Sequence, residues 1–185
     1  MMNNTIREQL ENLRSEDRQL QNQAFTAVLK ATDKPVDWAY EAWDDLVRDL
    51  RHKDNHVRAI AAQVLSNLAK SDPQNRMKRD FPALLAVTKD ERFVTARHTM
   101  QSLWKVGAAG ETQRKMVVEG LSRRYKECAS EKNRTLIRYD IIVSLHEMYN
   151  AARKDPKVKA RALELIETEP DLKYRKKYAG VWREA

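Results

Sequence analysis

A pattern of apolar residues that returns about once every forty residues limits the folds open to this chain. The equivalent positions lie 37, 38, 42 and 37 residues apart, and each belongs to a run of apolar residues at helical spacing. A period of this length is typical of stacked helical pairs, in which neighbouring copies bury a continuous core. The sequence therefore predicts an all-α fold. The equivalent positions are Leu20, Val57, Thr95, Ile137 and Tyr174.

Acidic and arginine residues mark the same repeat. An Asp stands three residues before the first, second and fifth equivalent positions, and an Arg directly follows the second, fourth and fifth. The third copy keeps the apolar spacing but lacks both markers. The Asp markers are Asp17, Asp54 and Asp171, and the Arg markers are Arg58, Arg138 and Arg175.

This combination of period, apolar register and Asp and Arg markers resembles the HEAT repeat family. The resemblance implies a right-handed α-α superhelix, or solenoid, of about four helical pairs plus capping helices. It also implies a structural ladder between the repeated Arg and Asp residues. Phosphate capture by the same arginines is the functional alternative, since a guanidinium group suits either anion.

The resemblance predicts one HEAT-like repeat domain over residues 1–185. A terminal helix needs one polar face because no neighbour covers it, so both ends are expected to be caps. The N-terminal cap is expected at 6–13. The repeats are expected at roughly 14–53, 54–90, 91–127 and 132–168, with a C-terminal cap at 170–185.

Asp, Pro and Gly residues predict where the helices begin, because Asp accepts hydrogen bonds from free first-turn N–H groups and Pro needs no such bond. Asp33, Pro35 and Asp37 are expected to open one second helix, Asp80 with Pro82 the next, and Asp155 with Pro156 the last. The remaining second helix is expected at 111–126, after Gly110. The first helices are predicted at 17–31, 55–70, 92–106, 133–152 and 171–184.

Composition excludes several classes of protein. The chain has only 4 Gly and 5 Pro, too few for the many tight turns of a β-sandwich. It has no apolar run long enough to span a membrane, and its N-terminus is polar, so we expect no membrane partner and no secretory signal. Its single cysteine, Cys128, cannot form an internal disulfide. These features predict a cytoplasmic protein.

Charge is unevenly distributed along the chain. Residues 1–50 contain 6 basic and 10 acidic residues, whereas residues 51–185 contain 29 and 17. Basic residues on or beside successive second helices predict a stripe that binds an acidic protein segment or, alternatively, nucleic acid. An ordinary solvated face is the third interpretation, because Glu119 and Glu164 interrupt the stripe. The predicted surface comprises Arg76, Lys78, Arg79, Lys115, Arg123, Lys126, Lys157 and Arg161.

A second candidate patch lies near the acidic end of the chain. Trp38 falls at the edge of an apolar arc, beside Asp45 and Asp49 and close to Glu41. It is interpreted either as a core residue or as a half-exposed anchor for a basic partner or a second copy of the chain. Trp43 and Trp104 occupy packing positions and are predicted to belong to the core. The sequence does not distinguish a core from a surface position for Trp182.

The sequence offers little for catalysis. His52 and His56 have a spacing found in metal sites, but they flank a predicted linker and lack further ligands, so we expect no metal and no cofactor. His146 and Glu147 form a single His–Glu pair, whereas the HEAT-like deoxyhypusine hydroxylases hold two irons with several. The HEAT-like alkylpurine DNA glycosylases share the basic character and the tryptophans, but their catalytic residues cannot be matched here. We therefore expect no enzyme, and we keep nucleic-acid binding as the alternative function.

Overall fold

The structure is a computed structural model that describes residues 2–183. Those residues form helices, turns and short 3₁₀ segments without any strand, which confirms the predicted all-α repeat fold. The chain divides into two compact units, Met1–Thr99 and Met100–Ala185. The helices are α1 Asn4–Asn12, α2 Arg18–Ala31, α3 Ala39–Asp49, α4 Asn55–Leu68, α5 Arg76–Ala86, α6 Phe93–Ser102, α7 Trp104–Ala108, α8 Glu111–Glu127, α9 Arg134–Ala151, α10 Pro156–Glu167 and α11 Leu172–Gly180.

Aspartate caps begin several helices at the predicted positions. The carboxylate of Asp17 accepts hydrogen bonds from the backbone N–H groups of Gln19 and Leu20. Asp54, Asp155 and Asp171 each accept from the N–H two residues later, at the starts of α4, α10 and α11. Each cap satisfies a donor that the first helical turn would otherwise leave free, which is why these starts are visible in the sequence.

The start of α5, predicted at Asp80 and Pro82, is wrong. Helix α5 begins at Arg76, because the Asp72 carboxylate accepts from the N–H groups of Arg76 and Met77 at 2.9 and 2.8 Å. Pro82 therefore lies inside the helix, where it cannot donate the usual hydrogen bond to the preceding turn. Asp80 is buried rather than capping, and accepts from the indole Nε1 of Trp43 at 2.9 Å.

Three further boundaries differ from the prediction. The chain turns through residues 33–38, so α3 begins later than expected, at Ala39. The helix expected at 92–106 is divided into α6 and α7 at Leu103. Helix α11 ends at Gly180, and the predicted end at residue 184 lies outside the described residues.

The first unit is built around α4, which is buried on most of its surface. Its apolar residues pack against α2 and α3 on either side. Trp43, on α3, is fully buried, as predicted. The principal apolar residues of α4 are Val57, Ile60, Ala61, Val64, Leu65 and Leu68.

The second unit is built around α9, which packs against α7, α8, α10 and α11. Gly107 permits the close approach of α7 to α9, since a Cβ atom there would lie 2.0 Å from the Met148 sulfur. An ion pair is buried in this unit, with the Arg138 Nη1 to Glu169 Oε2 distance at 2.7 Å. The central apolar residues of α9 are Ile137, Ile141, Ile142, Leu145 and Met148.

The predicted pairing of Arg58, Arg138 and Arg175 with Asp17, Asp54 and Asp171 is wrong: Arg138 pairs with Glu169, and Arg175 donates to the Glu169 carbonyl. Arg58 donates to both carboxylate oxygens of Asp90, at 2.6 and 2.9 Å, and not to Asp54. Asp54 instead accepts from Arg18 at 2.8 Å. Asp90 also accepts a hydrogen bond from the Arg92 N–H, so it lies at the start of α6 as Asp54 lies at the start of α4. In both cases an Arg in the first helix of one pair binds the aspartate at the start of the first helix in the next pair. The acidic partners therefore come from the following repeat.

Candidate macromolecule-binding surface

Helices α8 and α10 of the second unit lie side by side and leave a groove of about 180 Å³ between them. Its floor includes Val118 and the buried Val158, and its rim carries Lys115, Lys157 and Arg161. A shallow depression next to it, lined by Arg123, Lys126 and again Arg161, continues the same surface. We call this surface the α8–α10 groove. It brings together the five predicted residues Lys115, Arg123, Lys126, Lys157 and Arg161.

Three cations of the α8–α10 groove, Lys115, Arg123 and Arg161, form weak, exposed ion pairs. Lys115 lies 3.1 Å from Glu111, and Arg161 lies 2.9 Å from Glu164 on the same helix. Arg123 is 3.9 Å from Glu127. Exposed pairs of this kind stabilise a protein by roughly 0–1 kcal/mol, so an incoming carboxylate can replace them at little cost. Lys126 forms no ion pair with any other residue in the part of the chain that the structure describes.

One arginine of the groove is fixed and was missed in the sequence. Arg114 donates to Asp155 at 2.8 Å and to the Gly107 carbonyl at 3.3 Å, which ties the start of α8 to the start of α10. Asp155 was identified only as a helix cap, and its pairing across 41 residues gives no local signal. At the rim, the hydrogen bond and the charge of Lys115 lower the pKa of the Glu111 carboxyl.

The other three residues of the predicted stripe belong to the first unit, on the first turn of α5. Arg76 lies 4.3 Å from the centre of the Tyr40 ring, and Asp44 is 3.6 Å away. Arg79 donates to Asp80 at 2.8 Å and also lies near Asp44. Lys78 is exposed. Two of these three cations are thus already engaged by the first unit's own side chains.

The second candidate patch is largely covered. Trp38 and Asp49 are buried, at 8% and 5% exposure, which supports the core interpretation of Trp38. Arg14 lies 2.7 Å from the Asp49 carboxylate, and the Met2 N–H donates to Glu41. Only Glu41 and Asp45 of this patch reach solvent, because the N-terminal segment supplies cations and a backbone donor to it.

The remaining tryptophans divide between surface and core. Trp104 is half-buried, so the prediction that it belongs to the core is wrong. Its ring lies at the start of the short helix α7, where Lys105 approaches it at 5.8 Å. Trp182 is buried and packs edge-on against His146, with ring centres 5.0 Å apart.

The histidines and the cysteine are placed in structural settings. His52 Nδ1 accepts from the Asp54 N–H at 3.0 Å in the linker before α4, whereas His56 is exposed. Burial raises the pKa of the Cys128 thiol. Among residues 2–183, no three His, Cys, Asp or Glu side chains are grouped so that they could hold a metal ion. No helix within the same range is long and apolar enough to cross a membrane.

Sequence reasoning overlooked the lysines of α11. Residues 172–183 contain 5 basic residues and no acidic one, the signal that could have identified this surface. Lys173, Lys176 and Lys177 are all exposed. They are separate from the α8–α10 groove, none of whose lining residues lies on α11.

Comparison with known proteins finds no matching family model and no match among curated proteins. Among solved structures, the chain is similar to two engineered proteins crystallised by the Northeast Structural Genomics Consortium. The first is 17% identical with a TM-score of 0.58, over 97% of this chain and 78% of that one. The second is 15% identical with a TM-score of 0.55, over 98% and 88%. At these identities the likeness concerns the fold alone.

A designed armadillo repeat protein also matches, with 15% identity and a TM-score of 0.46 over 95% of this chain and 98% of that one.

Proposed function

We propose that this protein is a non-enzymatic scaffold of the HEAT-like type, and that it binds an acidic segment of another protein in the α8–α10 groove. The observation that carries the proposal is the composition of this groove, in which a cationic rim surrounds an apolar floor. Its exposed ion pairs are individually weak, so partner carboxylates can take the place of Glu111 and Glu164. Val118, which is half-buried at the floor, offers a surface for an apolar side chain of the partner.

The pattern of charges supports a protein partner over a nucleic acid in this groove. Glu111, Glu119 and Glu127 alternate with the cations along α8. A continuous phosphate backbone would be repelled by these carboxylates, whereas a peptide can place its own cationic or neutral residues opposite them. Charge complementarity of mixed sign also fixes the register of the partner.

The HEAT-like assignment and the cytoplasmic location are parts of the same proposal. The assignment is supported by Arg18 and Arg58, each of which joins one first helix to the acidic cap of the next. A single buried cysteine supports a reducing compartment. The absence of a recognisable catalytic set in the sequence supports a binding protein rather than an enzyme.

The test is capture of partners by the immobilised full chain from native extract, with and without nuclease. A variant combining Lys115→Glu, Arg123→Glu and Arg161→Glu is expected to lose the captured proteins while its melting temperature changes little. Nuclease treatment is expected to leave capture by the unmodified chain intact. Binding is also expected to retain an apolar component that survives moderate salt.

A matched control carries the same change of charge on exposed lysines of the first unit. It combines Lys30→Glu, Lys34→Glu and Lys53→Glu, and it should capture the same proteins as the unmodified chain. If the groove variant and the control retain the partners equally, the α8–α10 groove is an ordinary solvated face. If nuclease abolishes capture, the bound macromolecule is a nucleic acid and the proposal is wrong.

A further inference from the structure

Helix α11 carries an uninterrupted cationic face. Lys173, Lys176 and Lys177 are three and four residues apart, so their side chains emerge on one side of the helix. Each is exposed. None forms an ion pair with another residue in the described range 2–183. This arrangement differs from that of α8, where Glu111, Glu119 and Glu127 recur about every second turn among the cations.

The acidic residues nearest to this face along the chain are engaged elsewhere. Glu169 is fully buried and pairs with Arg138, while its backbone carbonyl accepts from Arg175 at 2.7 and 2.9 Å. Asp171 caps α11 by accepting from the Lys173 N–H at 2.8 Å. Glu167 lies 3.6 Å from Arg175. Within residues 2–183, no carboxylate therefore pairs with these three lysines, and their charge faces solvent.

Aromatic rings lie beneath two of these lysines. The Lys177 Nζ atom is 4.7 Å from the centre of the Tyr139 ring, and the Lys173 Nζ atom is 5.9 Å from that of Tyr174. Both rings are half-buried, so part of each is accessible. Contacts of this kind show that a cation and a partly accessible aromatic ring share the same small area.

A buried tyrosine makes the platform rigid. Tyr178 is fully buried, and its hydroxyl donates to the Thr135 carbonyl at 2.8 Å, which fixes α11 on α9. Its ring centre lies 6.3 Å from those of both Tyr139 and Tyr174. The two accessible rings are thus held by packing, and little conformational entropy is lost when a flat ligand stacks on them.

We propose that Lys173, Lys176 and Lys177, together with Tyr139 and Tyr174, form a binding surface for single-stranded nucleic acid, here called the α11 face. Single-strand binding proteins combine cations that follow the phosphates with aromatic rings on which the bases stack. A duplex would use the lysines but not the rings, because its bases are already stacked. A membrane-binding helix needs a broad apolar face, whereas Leu172 is the one large apolar side chain that α11 exposes in the described residues.

The proposal predicts a specific dependence on salt. Each phosphate neutralised on a single strand contributes about −0.7 to the slope of log affinity against log salt. Three lysines therefore predict a slope of about −2. The test measures the fluorescence anisotropy of a labelled oligothymidylate of about twelve nucleotides with the full chain, over a series of salt concentrations.

Two variants separate the contributions of charge and stacking. Combining Lys173→Gln, Lys176→Gln and Lys177→Gln should remove most of the binding and bring the slope of any remainder close to zero. Tyr174→Leu retains the apolar bulk but removes the ring, so affinity should fall about tenfold with the slope unchanged. Thermal melts by circular dichroism should show that both variants remain folded.

The matched control neutralises three lysines of the α8–α10 groove, in a variant combining Lys115→Gln, Lys126→Gln and Lys157→Gln. It should bind the oligonucleotide as the unmodified chain does. The proposal is overturned if this control loses binding and the α11 variant keeps it. Tighter binding to the duplex of the same strand, or binding to phosphatidylserine vesicles but not to the oligonucleotide, overturns it as well. None of these outcomes bears on protein capture by the groove.

Discussion

The two units contain nearly the same number of arginines but differ in lysines. Residues 1–99 hold 10 Arg and 6 Lys, and residues 100–185 hold 9 Arg and 10 Lys. Acidic residues number 15 and 12, so the net charges are +1 and +7. The surplus charge of the second unit comes from four more lysines and three fewer acidic residues, offset by one fewer arginine. Lysine is strongly hydrated and remains in solvent.

Arginines in both units bind the protein's own carboxylates and carbonyls, as Arg58 and Arg138 show. A planar guanidinium group suits such bidentate contacts better than an ammonium group. The total number of basic residues in a unit is therefore a poor guide to a binding surface. Exposed lysines that form no ion pair within residues 2–183 are a better guide where they cluster, as Lys173, Lys176 and Lys177 do on α11.

The largest expected effect is on the free energy of unfolding, and it compares the buried Arg138–Glu169 pair of the second unit with the more exposed Arg18–Asp54 pair of the first. Glu169→Gln leaves the Arg138 guanidinium buried without a counter-charge, and should lower the free energy of unfolding by about 3–5 kcal/mol. Urea unfolding monitored by circular dichroism measures this loss. The matched change is Asp54→Asn, which retains a capping side chain and removes only the pairing with Arg18.

Because the Arg18 side chain is about half exposed, at 52%, Asp54→Asn should cost less than about 1 kcal/mol. Equal losses for Glu169→Gln and Asp54→Asn would show that the two pairs do not differ as their burial indicates. Such a result would show that the Arg138–Glu169 pair of the second unit stabilises the protein no more than the Arg18–Asp54 pair of the first.

The next effect tests whether the two apolar cores are equivalent despite their different charges. Leu65 in α4 and Leu145 in α9 are both fully buried. Leu65→Ala and Leu145→Ala should each destabilise the protein by about 2–5 kcal/mol, through lost transfer energy and a residual cavity. Denaturant melts provide the measurement. Leu163→Ala is the control, since Leu163 is 41% exposed and its truncation should have a much smaller effect.

A smaller effect on stability is expected when an arginine that pairs with a buried carboxylate is compared with one that pairs with an exposed carboxylate. Arg14→Ala in the first unit leaves the buried Asp49 carboxylate without its 2.7 Å partner, and should cost about 1–3 kcal/mol. Arg161→Ala in the second unit removes an exposed pair and should change stability by less than about 0.5 kcal/mol. Urea melts of the two variants would contradict the comparison if Arg161→Ala proved the more damaging.

Much of the fold follows from local signals in the sequence. Asp17, Asp54, Asp155 and Asp171 act within two or three residues of themselves, so each predicts a helix start without knowledge of the tertiary structure. The start of α5 was predicted wrongly because its capping carboxylate, Asp72, lies four residues before the helix. Asp80 and Pro82, by contrast, have the residue types that are common in a first helical turn. Asp80 has a long-range partner that the sequence does not reveal, the indole of Trp43, 37 residues earlier.

The binding surface was partly predictable for the same reason. Helical spacing alone indicates that Lys115, Arg123 and Lys126 leave the apolar side of α8. It does not indicate that Arg76 rests on Tyr40, because that contact joins two helices. The ladder partners were likewise missed, since Arg58 and Asp90 are 32 residues apart along the chain.

The smallest expected effects concern pH, and they differ in sign between the units. In the first unit, the hydrogen bond from Arg79 holds the pKa of the Asp80 carboxyl below its usual value of 3.8; burial opposes this shift and the Trp43 indole assists it. A lowered folded-state pKa means that the contribution to stability is present above pH 3.8 and is lost as pH falls through the folded value. Asp80→Asn should therefore flatten the acid limb of Tm against pH.

In the second unit, the group considered is the phenol of Tyr125, which ionises at alkaline pH. Burial raises the pKa of Tyr125 to about 12 from an ordinary value of 10.0. Because the neutral phenol is the form that the folded unit accommodates, its contribution is complete below pH 10.0 and is lost as pH rises towards about 12. Tyr125→Phe removes the ionisable group and keeps the ring beneath Arg138, so it should flatten the alkaline limb and leave the acid limb unchanged. Melting curves across the pH range measure both variants, and a Tyr125→Phe protein as sensitive to alkali as the unmodified chain would show that another group governs the alkaline unfolding.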